Sequence, residues 1–299
     1  MTNKSTAGSG TACAQIRSQV EALGANFDPA VLAATRAIYR PHLDMSPAAH
    51  EEVDRVYGPH TRHRLDLYVP AGACEALVVF VHGGGFVAGD KNGDGVFYRN
   101  VGRWLAREGL IAVLPNYRLA PEAPWPAGAQ DVGVAVAWAR SHAALRDGRA
   151  LPVFVLGQSA GASHVASWLF DPAVREGQGA DVSGVMLMSG FYRAQAPLAP
   201  GPEAYFGADA AVYEARSPLT HVQRVETPLW ISLAELDPAG LAAPSYALAQ
   251  AVTLAQGHSP AFRLFAGHNH VSTVQSLGSP QGDVADAILA FIRAYARRT

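Results

Sequence analysis

Four short stretches hold groups whose chemistry could be combined. Ser159 sits in Gly157-Gln158-Ser159-Ala160-Gly161, directly after the apolar run Leu151 to Leu156. A serine hydroxyl at its free pKa is a poor nucleophile. It needs a base within hydrogen-bond reach, and the base needs an orienting partner. Histidine suits the base because its pKa lies near neutrality. His268 and His270 follow the run Phe262 to Phe265, and Glu235 and Asp237 follow Leu229 to Leu233. Gly83, Gly84 and Gly85 follow Leu77 to Val81 after His82. Glycine amides can approach an oxygen closely, and losing one donor to a developing oxyanion costs about 2.7–4 kcal/mol of barrier stabilisation. Together these groups fit attack of a serine on a carbonyl carbon.

The spacing says which elements must hold them. A serine between a strand and a helix makes a sharp, strained turn, and the glycines at 157 and 161 let the two elements approach. Ala160 to Phe170 reads as the helix. Leu77 to Val81 and Leu110 to Leu114 are continuous apolar runs of the kind buried on both faces of a sheet. Arg64 to Val69 alternates with period two before Pro70 and reads as a half-buried strand. Leu151 to Leu156, Val185 to Met188, Leu229 to Leu233 and Phe262 to Phe265 complete the set. Helical patterns at 97–107, 128–145 and 285–296 separate or close them. Strands alternating with helices give a parallel sheet covered on both faces. Each chemical stretch then leaves the carboxyl end of a strand. His270, just ahead of a helical stretch, fits the base better than His268, which is left for the surface or the entrance. His164 lies within the helix after Ser159 and reads as structural. Asp237 could equally cap the next helix, with Pro238 at its first position.

The rest of the chain bounds the reading. With 299 residues it is near the limit of one hydrophobic core, and 49% of them are hydrophobic. The net charge of -2 favours neither nucleic acid nor an anionic membrane. Cys13 and Cys74, the two cysteines, make no disulfide framework and no metal-ligand spacing. No signal-peptide core and no membrane-length run is visible, so the cytoplasm is the expected compartment. A phosphate-binding reading of the glycine run fails, because neither Gly-Lys-Ser/Thr nor Gly-x-Gly-x-x-Gly is present.

Residues 1–58 read as an amino-terminal segment and helical cap. Residues 1 to about 12 are small and polar and are expected to be disordered. Ile16, Val20 and Leu23 then recur at helical spacing up to Gly24. Asp28 and Pro29 open a second helix that Pro41 stops. These helices are expected to cover the site. Residues 59–299 form the main domain. Within it, 191–226 is long for a connection and holds Phe191, Tyr192, Tyr205, Phe206 and Tyr213, so it is expected to line the pocket.

His82-Gly83-Gly84-Gly85-Phe86, Asn116-Tyr117-Arg118-Leu119-Ala120-Pro121-Glu122 with Trp125-Pro126-Ala127 and Asp131, and the serine pentapeptide resemble the α/β-hydrolase esterases of the hormone-sensitive-lipase and bacterial carboxylesterase group. The resemblance covers residues 60–299. It implies the α/β-hydrolase fold, a mostly parallel central sheet with helices on both faces. It implies Ser159, Asp237 and His270 as a catalytic triad, and the amides of Gly84, Gly85 and Ala160 as an oxyanion hole. It also makes Arg118, Glu122 and Asp131 structural supports of the oxyanion loop, and marks Phe262 to Ala296 as a candidate homodimer interface. Gln158 departs from the aspartate usual before the serine. Leu65-Asp66-Leu67-Tyr68 and Gly89-Asp90-Lys91 look closer to the kynurenine formamidase and feruloyl-esterase-like branch.

The expected activity is hydrolysis of a small, short-acyl carboxylic ester through an acyl-enzyme, with no metal and no organic cofactor. An arylformamidase acting on N-formylkynurenine is the alternative within hydrolases. A non-catalytic ligand-binding protein of the same fold is the alternative outside them.

Overall fold

The computed structural model describes residues 5–143, 150–176 and 179–297. The chain opens with helices α1 (Ser5–Glu21) and α2 (Pro29–Tyr39). Strands β1 (His50–Val56), β2 (Arg64–Val69) and β3 (Ala76–Val81) follow, then α3 (Arg99–Arg107), β4 (Leu110–Pro115) and α4 (Ala127–Ala143). Next come β5 (Val153–Gln158), α5 (Ala160–Phe170) and β6 (Gly184–Met188), then the short helices α6 (Pro200–Phe206) and α7 (Tyr213–Arg216). The chain closes with β7 (Leu229–Leu236), α8 (Ala239–Gln256), β8 (Ala261–Asn269), α9 (Ser272–Gln275) and α10 (Asp283–Ala296).

Among the described residues, eight strands form one sheet in the order β1-β2-β4-β3-β5-β6-β7-β8. Strands β3 to β8 run parallel, and β2 pairs antiparallel with both β1 and β4. The continuous apolar runs are the reason. β3, β4, β5 and β6 are buried along their whole length, and such strands need helices on both faces. On one face Val79, Val81, Val155 and Val185 pack against Val132 and Val136 of α4, Val165 and Leu169 of α5, and Leu248 and Val252 of α8. On the other, Val78, Phe80, Phe154 and Met186 pack against Val101 and Leu105 of α3 and Ile288, Phe291 and Ile292 of α10. Successive side chains of one strand thus feed two separate cores. No helix among the described residues is long and apolar enough to cross a membrane.

Three expectations change. The stretch 1 to about 12, expected to be disordered, is helical from Ser5 onward, while residues 1–4 lie outside the described ones. Ile16 and Val20 anchor that helix by burial against Tyr39 and Phe97. The segment 1–58 is not wholly a cap, because β1 is the edge strand of the main sheet. Its sequence, His-Glu-Glu-Val-Asp-Arg-Val, has no apolar alternation, since most of it faces solvent and its register shifts between Glu52 and Arg55. The helix expected over 128–145 runs Ala127–Ala143, and Leu145 lies outside the described residues.

Two glycines carry the approach of α5 to the sheet. A Cβ at Gly161 would collide with the backbone carbonyls of Val81 and His82, and one at Gly157 would lie 2.7 Å from Ala162 Cα. Gly161→Ala is therefore expected to destabilise the protein by about 1–3 kcal/mol, the usual cost of overpacking. Thermal unfolding measures it, and an unchanged Tm would contradict the contact.

His164, in α5, is fully buried. Its Nδ1 lies 3.2 Å from Tyr205 Oη and its Nε2 has no partner. Burial pushes its imidazole down to about 3, with Asp131 opposing and His82 adding to the effect. The unfolded chain protonates this histidine below the ordinary imidazole value of 6.5 while the folded one does not. Stability is thus lost as pH falls from there towards 3. His164→Phe is expected to flatten that part of the Tm-against-pH curve, which a pH series of melts checks.

Candidate active site

Ser159 stands between β5 and α5 with φ 57° and ψ -126°, left-handed backbone that a non-glycine residue adopts only when its surroundings enforce it. Its amide donates to Met188 O at 2.9 Å, so β6 fixes the turn from one side. The turn lifts Oγ above the sheet and sets it at the amino end of α5, where the helix dipole is positive.

The strand ends bring the predicted partners to it. His270 directly follows β8, and Asp237 directly follows β7. Ser159 Oγ donates to His270 Nε2 at 2.8 Å, and His270 Nδ1 donates to Asp237 Oδ1 at 2.7 Å. The carboxylate accepts only, so it selects the tautomer that leaves Nε2 free to take a proton. Asp237 and His270 are buried, whereas Ser159 is partly open.

The competing residues have other partners. Glu235 is exposed, and its Oε2 accepts from Gly267 N at 2.8 Å. His268 is neither at the surface nor at the entrance but fully buried, with Nδ1 2.8 Å from Ser272 Oγ and Nε2 3.2 Å from Asp283 Oδ1. Gly84 and Gly85, both at positive φ, line the cavity that holds Ser159 and His270. Ala160 opens α5 and is buried beside them.

Two supports were not visible in the sequence. Ser189, at the end of β6, donates from Oγ to Asp237 Oδ2 at 2.6 Å, and Ala234 N donates to the same oxygen at 2.8 Å. Gln158 donates from Nε2 to His270 O at 2.9 Å, which ties the backbone of His270 to the strand that leads into Ser159. An aspartate there would present an acceptor to an acceptor. The departure at 158 is thus a different way of holding the same loop. A serine at a strand end gives no sequence signal by itself, since its partner is 48 residues away.

The glycine loop is braced from behind. Tyr117 Oη donates to His82 O at 2.9 Å, Asn116 Oδ1 accepts from Lys91 N at 2.7 Å, and Ala120 N donates to Phe86 O at 3.0 Å. Arg118 and Asp131 pair at 2.7 Å beneath that segment, while Glu122 is exposed. Burial pushes the His82 imidazole down to about 4, although hydrogen bonds to Gly83 and Asn116 favour its charged form.

The cavity holds ≈ 600 Å³ and is walled by Phe27, Leu32 and Arg36 from the amino-terminal segment, by Gly83–Gly85, by 88–98 and by Val271 and Gln275. Residues 191–226, expected to line it, do not appear on its wall. Their aromatic rings instead back the glycine loop: Tyr205 stacks on Phe86 at 4.6 Å, with Phe206 and Phe191 edge-on. A Cβ on Gly201 of α6 would lie 2.6 Å from Gly85 O, so this segment rests directly on the loop's backbone. Tyr205 and Phe206 are buried in that contact and present no surface to the cavity.

The amino-terminal segment reaches His270 and its loop as well. The Phe27 ring lies edge-on to His270 at 4.6 Å. Asn269 Nδ2 donates to Thr35 Oγ1 at 2.9 Å, and Tyr39 Oη donates to Gln281 Oε1 at 2.6 Å. Gln281 Nε2 in turn lies 2.8 Å from His268 Nε2.

Residues 78–273 match the alpha/beta hydrolase fold family. Among curated proteins, the chain is 31% identical over 130 residues to a probable isoprenylcysteine alpha-carbonyl methylesterase of Arabidopsis thaliana, covering 43% of this chain and 30% of that protein. It is 37% identical over 138 residues to the carboxylic ester hydrolase LipN of Mycobacterium tuberculosis, covering 44% of this chain and 35% of that one. The matched stretch thus spans about a third of those relatives. Among solved structures, esterase B from Lactobacillus rhamnosis superposes with a TM-score of 0.74 at 19% identity, covering 98% of this chain and 97% of that one. An esterase of the bacterial hormone-sensitive lipase family superposes with a TM-score of 0.68 at 20% identity, covering 96% and 98%. At such identity these structures speak for the fold alone. The family match takes in more than half of the sequence and encloses Ser159, Asp237 and His270, and on that ground the chain belongs to the alpha/beta hydrolase fold family.

Proposed function

We propose that this protein is a serine carboxylesterase that hydrolyses short-acyl esters through an acyl-enzyme. The observation that carries the reading is the unbroken hydrogen-bond chain from Ser159 through His270 to Asp237, at 2.8 and 2.7 Å. The names of the curated relatives, ester hydrolases, point the same way.

In this reading Ser159 Oγ attacks the ester carbonyl as His270 Nε2 takes its proton. Asp237 holds the ring in the productive tautomer and stabilises the imidazolium. Its other oxygen is occupied by Ser189 and Ala234 N, so the carboxylate cannot swing away. The amides of Gly84, Gly85 and Ala160 receive the negative oxygen of the tetrahedral intermediate. His270 then gives its proton to the departing alkoxide, leaving the acyl group on Ser159. A water loses a proton to His270 and attacks the acyl carbonyl, and collapse returns the serine and releases the acid. The amino-terminal helices act as a cap, since Phe27 and Leu32 limit access to the cavity.

Ser159→Ala is expected to lower kcat on p-nitrophenyl butyrate by at least about four orders of magnitude with the fold intact. Circular dichroism checks the fold, and retained turnover would refute the nucleophile. Gln158→Leu removes the donor from a buried carbonyl, a loss of about 1–3 kcal/mol. The expected result is a kcat about tenfold lower with KM nearly unchanged, because the base loosens while the walls stay. Steady-state kinetics separates the two parameters.

A further inference from the structure

Beyond the reacting groups, the cavity has polar residues in its wall, and most are already committed. Asp90 Oδ1 accepts from Asn92 N at 2.8 Å and its Oδ2 from Asn116 Nδ2 at 2.6 Å. Asp94 Oδ1 accepts from Val96 N and Phe97 N, and its Oδ2 from Arg40 Nη2 at 2.7 Å. The amide nitrogen of Gln158 is bonded to His270 O. The carboxylate oxygens on this wall therefore have donors.

One cation on it does not have a partner. The exposed Arg36 side chain enters no hydrogen bond and no ion pair among the described residues, although Asp94 lies near enough to feel its charge. Arg40 takes the Asp94 carboxylate oxygen, so two cations share one acid and one positive charge is left over. Gln275, on the helix α9 that packs against α2, is 3% exposed; its Oε1 is buried without a partner, and as an acceptor it offers nothing to an anion.

The position of Arg36 sets the spacing. Phe27 sits against His270, and Leu32 and Arg36 follow on the cavity face of α2. Residues four apart share a helix face, with a rise of about 6 Å between them. Phe27, Leu32, Phe97 and Val271 thus line an apolar stretch between the reacting end and the guanidinium. A ligand matching this wall has a carbonyl at one end, a few methylenes, and an anionic acceptor at the other. A carboxylate suits the planar fork of arginine best, through paired N–H···O bonds.

We propose that Arg36 is the specificity determinant for an ester that carries a free carboxylate several carbons from the scissile bond. This inference rests on the esterase reading above. The carboxylate can belong to the acyl part, as in a half-ester of a dicarboxylic acid, or to the alcohol part. Both share the same recognition chemistry.

Matched esters test it. Monoethyl glutarate is compared with ethyl valerate, and 4-(butyryloxy)butanoate with butyl butyrate, by pH-stat titration of the acid released. The expected result is that the wild-type protein prefers the anionic member of at least one pair by about tenfold or more in kcat/KM, the effect of one charged hydrogen-bonded contact. The pair that shows it identifies the side bearing the charge. Arg36→Gln should lower that ratio to near one, and Arg36→Lys should keep part of it. Raising the ionic strength should erode the preference in the wild-type protein without any substitution. Equal turnover of both members in both pairs would overturn the proposal, as would a ratio that survives Arg36→Gln. Absence of turnover on all four esters would instead overturn the esterase reading itself.

Discussion

The positive φ of Ser159 is the constraint on which the rest depends. A strand must end and a helix begin within one residue, and a side chain must point away from both. The conformation is costly for a residue with a Cβ, of order 1–3 kcal/mol, so the surroundings have to hold it. Met188 O takes the serine amide, and Gly161 lets α5 lie against the carbonyl ends of β3. That same approach brings Ser159 beside the glycine loop, which leaves β3. One backbone contact thus sets both the strained turn and the distance between the serine and the loop's amides.

Around that turn the molecule uses rigid backing. The His270 ring is fixed by Asp237, its carbonyl by Gln158, and Asp237 in turn by Ser189 and Ala234. The glycine loop has no side chains to pack, so its rigidity is borrowed from Tyr117, Asn116 and the stacked pair Phe86 and Tyr205. A preorganised site has little to rearrange as charge develops. The long segment after β6 serves this purpose, with its aromatic residues spent on support.

Much of this could be read from the chain. The strands with continuous apolar runs, the helix Ala160–Phe170 and the order serine, acid, histidine carry strong local signals, because burial on two faces and a sharp turn leave few residue choices. β1 carries no such signal, since an exposed charged edge strand is held by backbone bonds to β2. Asp237 and Glu235 were separable only in space, where β7 continues far enough to turn one carboxylate outward and the other in. The burial of His268 depends on Asp283 and Ser272, whose placement no local pattern encodes. The aromatic residues of 191–226 are legible as apolar area, which suggests a pocket wall, but their packing behind the glycine loop is not, because composition does not name the partner.

The hydrogen bonds from Asn269 to Thr35 and from Tyr39 to Gln281 join the amino-terminal helices to the loop that carries His270 and to the segment that follows it. The wall of the cavity and the position of its imidazole are therefore one cooperative unit. Exchanging the amino-terminal segment for another, as one would to reshape the pocket, also changes the footing of the histidine. A segment that merely fits the opening is not enough: a replacement must offer a hydroxyl where Thr35 and Tyr39 do. Selectivity and reactivity in this scaffold are inherited together.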